Sequence, residues 1–172
     1  NMDEFFEIRV AGLKQQIKYA REVVSADGQT PRQVLQRISE QTHLLVKQQY
    51  DLLNNLLIPL LEKENIFFLR RSDWTPEQRD WVAQYFEREL LPVINPIGLD
   101  PSHPFPRLVN KSLNFIVELD GKDAFGRETG LAIVPAPRSL PRLLRIPAEA
   151  CKNAGTHIVF LSSIIHAHAD DL

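Results

Sequence analysis

From Phe6 onward the apolar and small positions fall at Phe6, Val10, Leu13, Ile17, Ala20 and Val24, in alternating steps of four and three. That spacing places them on one face of an amphipathic helix. Ser25-Ala26-Asp27-Gly28 ends it, because Gly28 can take the left-handed conformation that a helix exit prefers. Thr30-Pro31-Arg32-Gln33 then has the residues of a capping box, with Thr as N-cap, Pro at the first helical position and Gln three residues on. A long second helix follows over 31–61, with Leu35, Ile38, Leu45, Leu52 and Leu56 or Leu57 on its inner face. Pro59 lacks an N–H donor and is expected to kink or end that helix near its last turn. The leucines are read as core of an antiparallel helical bundle, with coiled-coil pairing as the alternative.

Glu64-Asn65-Ile66-Phe67-Phe68-Leu69 is a short apolar run bounded by charge, and it reads as extended. Thr75-Pro76-Glu77-Gln78 repeats the capping box and starts a third helix to about residue 90, with Trp81, Val82, Tyr85 and Phe86 inward. Pro92 stops it. Residues 92–106 hold five prolines and read as an extended crossover. Beyond it the period changes to two. Leu113, Phe115, Val117 and Leu119 alternate with Asn114, Ile116 and Glu118, and a turn over 121–126 returns the chain through Gly130-Leu131-Ala132-Ile133-Val134 as a hairpin. Residues 143–146 and 157–161 are further strands, and Ser162 or Ser163 is expected to cap a last helix over 164–172. The fold class is therefore α+β: an N-terminal antiparallel helical bundle over 1–91, then a mixed α/β part over 92–172.

The formal net charge of −2 leaves no electrostatic footprint for nucleic acid, so no nucleic-acid partner is expected. The single cysteine, Cys151, cannot form an internal disulfide or a metal site by itself, and it fits a reducing, cytoplasmic setting. No apolar run approaches the ~20 residues that span a bilayer. The phosphate-cradling and nucleophile-elbow motifs G-x-x-x-x-G-K-[ST], G-x-G-x-x-G and G-x-S-x-G are all missing from the sequence.

Asn1-Met2-Asp3-Glu4-Phe5-Phe6-Glu7-Ile8-Arg9 resembles the S-N-x-D-E-F-(F/Y)-x-(V/I)-R motif of the polyphosphate kinase family. Residues 95–106, from Asn95-Pro96-Ile97 through Asp100-Pro101-Ser102-His103-Pro104-Phe105-Pro106, are similar to that family's P-(I/L)-x-x-D-P-x-H-P-F-P pattern. Asn110-Lys111-Ser112-Leu113-Asn114 matches the N-x-S-L-N that follows it. Residues 164–172 look like the stretch that precedes the family's F-x-G. The resemblance implies a piece of a longer enzyme: a helical N-terminal domain over 1–91 and the first part of the family's head domain over 92–172. It also implies ATP as substrate, Mg²⁺ near the phosphates, inorganic polyphosphate as the second substrate, and transfer through a phosphohistidine. A homo-oligomer, dimer or higher, is implied too, cytoplasmic with or without membrane association of the intact enzyme. The family's catalytic histidines and metal ligands fall outside this stretch, so neither a catalytic residue nor a metal ligand is expected in it. The isolated chain is expected to be inactive.

Asn1 is the one position carried over as an ATP contact, since it matches the family's nucleotide-contacting Asn. A carboxamide offers donors and an acceptor together. The structural reading, an N-cap before Asp3 and Glu4, can coexist with it. Asp3 and Glu4 point ~100° apart on a helix and are read as dipole-complementary residues rather than a shared ion site. His103 is read as fixing a tight turn. His166 and His168, two residues apart, face opposite ways and are not read as a zinc pair. Arg70, Arg71, Arg138, Arg142 and Arg145 are read as scattered surface or interface residues. The rival to an enzyme fragment is a non-catalytic assembly module that only pairs subunits.

Overall fold

The computed structural model describes residues 2–19, 24, 27–100, 102–119 and 130–172. The chain divides into two compact units, Asn1–Pro59 and Leu60–Leu172. The change of sequence texture at Pro92 falls inside the second unit.

In the first unit a helical stretch runs through α1 (Met2–Glu4), a wide π turn (Phe5–Val10) and α2 (Ala11–Lys18). Val10 is buried, and Phe6, Leu13 and Ile17 are half-buried on the face that the four-and-three spacing predicts. The helix ends at Lys18; part of the predicted extension, 20–23 and 25–26, lies outside the described residues. Gly28 takes φ +78°, the left-handed conformation expected of it. α3 (Pro31–Leu52) then starts at the predicted cap: the Gln33 N–H donates to Thr30 Oγ1 at 3.3 Å, and the Thr30 N–H donates to Gln33 Oε1 at 2.9 Å. α2 packs against α3, where Leu35 and Ile38 are half-buried.

Of the two outcomes expected at Pro59, a kink or an end, the helix does not take the second. A π turn (Leu53–Leu57) precedes α4 (Ile58–Lys63), which contains the proline. Pro59 cannot donate to the carbonyl of Asn55, and its ring displaces that carbonyl, so the preceding turn widens instead of the helix breaking. The leucines expected in a core are largely open: Leu45, Leu52 and Leu56 are 54%, 52% and 49% exposed. Their periodicity is helical, but α2, with eight residues, covers little of a 22-residue α3.

The second unit is built on two three-stranded sheets. One has the order β1 (Ile66–Phe68), β6 (Thr156–Phe160), β5 (Leu143–Ile146), with β1 parallel and β5 antiparallel to β6. The other has β4 (Leu131–Pro135) between β2 (Ile97–Gly98) and β3 (Asn114–Glu118), all antiparallel. The predicted hairpin is the β3–β4 pair, and its turn at 121–126 lies outside the described residues. The proline-rich crossover contributes β2, which pairs Ile97 with Ile133 and Gly98 with Ala132.

α5 (Pro76–Tyr85) opens with the second capping box, which is intact at Thr75 and Gln78. It continues as a π turn (Phe86–Leu90) two residues before Pro92, the same adjustment seen ahead of Pro59. Val82, Phe86 and Leu90 form one core with Trp74, Leu144 and Ile146 of β5, Val159 of β6, and Leu161, Ile164 and Ile165. The last helix, α6 (Leu161–Ala167), differs from the expected 164–172. It starts directly from β6 with no side-chain cap at Phe160. Burial of Leu161, Ile164 and Ile165 sets its start, so neither Ser162 nor Ser163 is needed as a cap.

β1 and β6 meet through a tight corner. The Thr156 N–H donates to the carbonyl of Asn65 at 2.8 Å, and Asn65 itself has φ +60°. Gly155 takes φ +137°, and a Cβ there would lie 2.6 Å from that same carbonyl. Only glycine fits this approach.

Candidate functional site: a cationic cavity between the two sheets

Asn1, the expected ATP contact, lies outside the described residues. Asp3 and Glu4 are exposed in the first helical turn. His103 does what the turn reading expects. Its ring Nδ1 lies 3.1 Å from Asp100 Oδ2, and the His103 backbone N–H donates to the Asp100 backbone carbonyl at 3.0 Å. The Ser102 N–H donates to Asp100 Oδ1 at 2.9 Å, and this bond is the main reason the Asp100 carboxyl is pushed down to about 2.

The histidines near the C-terminal end do not converge. His168 stacks on Phe86 with centroids 4.4 Å apart and planes at 11°, and its Nδ1 meets Asp171 Oδ2 at 2.8 Å. His166 is exposed, and its carbonyl accepts from Arg71 Nη1 at 3.3 Å. Among the described residues no group of three or more His, Cys, Asp or Glu is arranged to hold a metal ion.

The arginines read as scattered are the ones tertiary structure rearranges. A cavity of about 640 Å³ opens where the ends of the two sheets approach each other within the second unit. Ala136 donates its N–H to the Leu113 carbonyl at 2.9 Å, closing the β3–β4 sheet at this end. Residues 136–142 then cross to the other sheet, where Leu143 pairs with Phe160. Arg138 and Arg142 lie on this crossing, and both line the cavity with Lys111, which precedes β3. No carboxylate lines it among the described residues. Neither the Arg138 nor the Arg142 side chain has an ion-pair or hydrogen-bond partner among the described residues. Arg145, on the exposed side of β5, does not line it.

Lys111 has φ +58°, a sparsely populated conformation for a side chain of this kind. The turn that holds it is tied by Ser112 Oγ, which donates to the Val109 carbonyl at 2.6 Å and accepts from Asn114 Nδ2 at 2.9 Å. The Ser112 hydroxyl is thereby committed to structure. The Ser162 hydroxyl, also at the wall, has no hydrogen-bond partner among the described residues. Three exposed cations and a hydroxyl beside apolar side chains suit anionic oxygens, because guanidinium forks bind them bidentately. Sequence reading missed this set because its members are up to 51 positions apart and follow no spacing rule.

By fold this is a two-unit α+β protein, and by site one whose second unit presents a carboxylate-free cationic cleft among the described residues. The chain belongs to the polyphosphate kinase family. The polyphosphate kinase N-terminal domain matches residues 1–69, and the polyphosphate kinase middle domain matches residues 77–172. Over all 172 residues the chain is 63% identical to a polyphosphate kinase of Pseudomonas putida, 61% to one of Pseudomonas aeruginosa and 54% to one of Neisseria meningitidis. It covers 24% of the first of these and 25% of the other two, so it spans about a quarter of the length of these relatives. The crystal structure of a polyphosphate kinase from Porphyromonas gingivalis shares the fold. The TM-score is 0.77 over 99% of this chain and 24% of that one, at 22% identity.

Proposed function

We propose that the whole protein reversibly transfers the γ-phosphoryl group of ATP to inorganic polyphosphate through a phosphohistidine, and that this stretch is a supporting part of it. Its share is one wall of the nucleotide site, with Asn1 as the contact, and part of the contact between subunits in a cytoplasmic homo-oligomer. The observation that carries this reading is identity of 61–63% along the full 172 residues to polyphosphate kinases of Pseudomonas.

Four of the five histidines have side-chain roles in the structure. His43 bonds the Ser39 carbonyl on α3, His103 holds its turn, His157 stacks on Phe67, and His168 stacks on Phe86, while His166 lies exposed at the end of α6. On this reading the reactive histidine lies elsewhere in the enzyme. The described residues do not fit a Mg²⁺ site, and no step is assigned to the ion on this chain. Phosphoryl transfer depends chiefly on positioning and charge neutralisation, so a wall that holds nucleotide can matter without performing chemistry.

Two measurements test the reading. The purified 172-residue chain, given ATP and Mg²⁺, is expected to form no acid-insoluble phosphate; turnover would overturn it. In the intact enzyme, Asn1→Ala is expected to raise KM for ATP several-fold with little change in Tm. Unchanged ATP kinetics would remove Asn1 from the site.

The assembly-module reading is favoured by one observation, the exposed leucines of α3. Sedimentation of the intact enzyme with Leu45→Gln and Leu52→Gln tests it. A shift to smaller species with full ATP use would make subunit pairing the whole role of this helix.

A further inference from the structure

We propose that the cavity formed by Lys111, Arg138, Arg142 and Ser162 is a binding subsite for a condensed phosphate chain. The ligand chemistry is a row of anionic phosphate oxygens, supplied either by inorganic polyphosphate or by the triphosphate of a nucleotide. The choice between these two sources rests on the polyphosphate kinase reading; the anion site itself rests on the geometry.

Charge makes the first argument. The chain carries a formal net charge of −2, with acidic residues outnumbering basic ones, 22 to 20. A cleft with three basic residues and no carboxylate on its described wall is a strong local departure from that balance. Field lines from clustered cations are focused by low-dielectric walls, so the cleft raises the local concentration of anions.

Partner accounting makes the second. Some basic side chains elsewhere are neutralised, as Lys47 is by Asp51 and Lys152 by Glu77 at 3.4 Å, while others, such as Arg79 and Arg107, have no such partner among the described residues. Arg71 reaches the His166 carbonyl. Arg138 and Arg142 reach no such partner among the described residues, and both border the same space. Arginine's planar fork matches phosphate oxygens two at a time.

The cavity's dimensions make the third. About 640 Å³ lies within the ~300–1,000 Å³ typical of ligand sites, and it exceeds what a single orthophosphate needs. The Arg142 backbone is held by the Leu161 N–H at 2.9 Å, and Lys111 sits in a turn tied by Ser112 and Asn114, so two of the three cationic positions are on fixed backbone. A preset arrangement loses less entropy on binding.

The experiment is equilibrium binding by the intact enzyme, with two probes titrated separately: fluorescently labelled polyphosphate and a non-hydrolysable ATP analogue. Arg138→Gln with Arg142→Gln is expected to weaken at least one probe by tenfold or more, since the charge-assisted bonds of each guanidinium to phosphate are worth about tenfold or more in affinity. Weakening confined to polyphosphate assigns the site to the polymer, and weakening confined to the analogue assigns it to the nucleotide. Arg145→Gln removes a nearby exposed charge that does not line the cavity, and it should leave both affinities unchanged. Unchanged binding of both probes in the double variant would overturn the proposal, as would an equal weakening in Arg145→Gln. If the double variant fails to fold, Arg138→Gln alone is read by the same titrations, with the same criteria. Wild-type enzyme that binds polyphosphate through this cavity but makes none from ATP would remove the kinase reading and keep the site.

Discussion

The backbone N–H of Leu161 donates to the carbonyl of Arg142 at 2.9 Å. Leu161 opens α6 and is buried in the core of the second unit, while Arg142 ends the crossing that carries the arginines of the cavity. Core packing and the placement of a binding side chain are therefore joined at one bond. Leu161→Ala removes buried methyl groups at that junction, and it should destabilise the second unit by roughly 2–5 kcal/mol. Urea unfolding measures it, and a shift below about 1 kcal/mol would mean that the core collapses around the gap.

Gly155 sits at φ +137°, where a Cβ would meet the Asn65 carbonyl at 2.6 Å and the Phe67 ring at 2.9 Å. Relief would require moving the backbone that pairs β1 with β6. Gly155→Ala is expected to cost at least about 2 kcal/mol, from strain and clash together. An alanine variant with wild-type unfolding would show that the corner opens freely.

The two capping boxes use the same residues in different surroundings. Thr30 is at an exposed cap, whereas the Thr75–Gln78 pair is partly buried. Each Thr→Ala change should cost about 1 kcal/mol, with Thr75 toward the upper end near ~2 kcal/mol, because water replaces a missing cap less readily there. Hydrogen exchange of the first-turn amides of α3 and α5 reads each helix separately. A larger drop in protection at Thr30 would reverse the ranking.

Asp100 supplies a pH test. Its carboxyl is lowered from 3.8 to about 2, first by the Ser102 N–H and also by His103. A depressed carboxyl contributes stability that is fully present above its unfolded value and is lost as pH falls through its folded value. Asp100→Ala should therefore lower Tm at neutral pH, and the gap to wild type should narrow between about pH 4 and pH 2. Tm measured across that window checks it; a constant gap would assign the effect to something other than the carboxylate.

Much of the local architecture was legible because its causes are local. Thr30-Pro31-Arg32-Gln33 and Thr75-Pro76-Glu77-Gln78 each place cap, proline and returning glutamine within four residues, so their geometry follows from short-range bonding alone. Alternation at Leu113, Phe115, Val117 and Leu119 located β3, where Phe115 and Val117 are half-buried while Leu113 before it is exposed, and the family motifs at 1–9 and 95–114 agreed with the two matched family domains. Less followed for the leucines of α3, because periodicity reports a face and not whether anything covers it.

Periodicity, caps and motifs in the sequence thus sufficed to identify helices, strands, the α+β class and the family. Tertiary structure alone decided that Pro59 widens a turn without ending a helix, that Leu161 starts α6, and that Lys111, Arg138 and Arg142 share a cavity. The physical reason is range. A capping bond or an apolar stripe is set within one or two helical turns, whereas the cavity exists only where residues 136–142 cross between two sheets formed by distant strands.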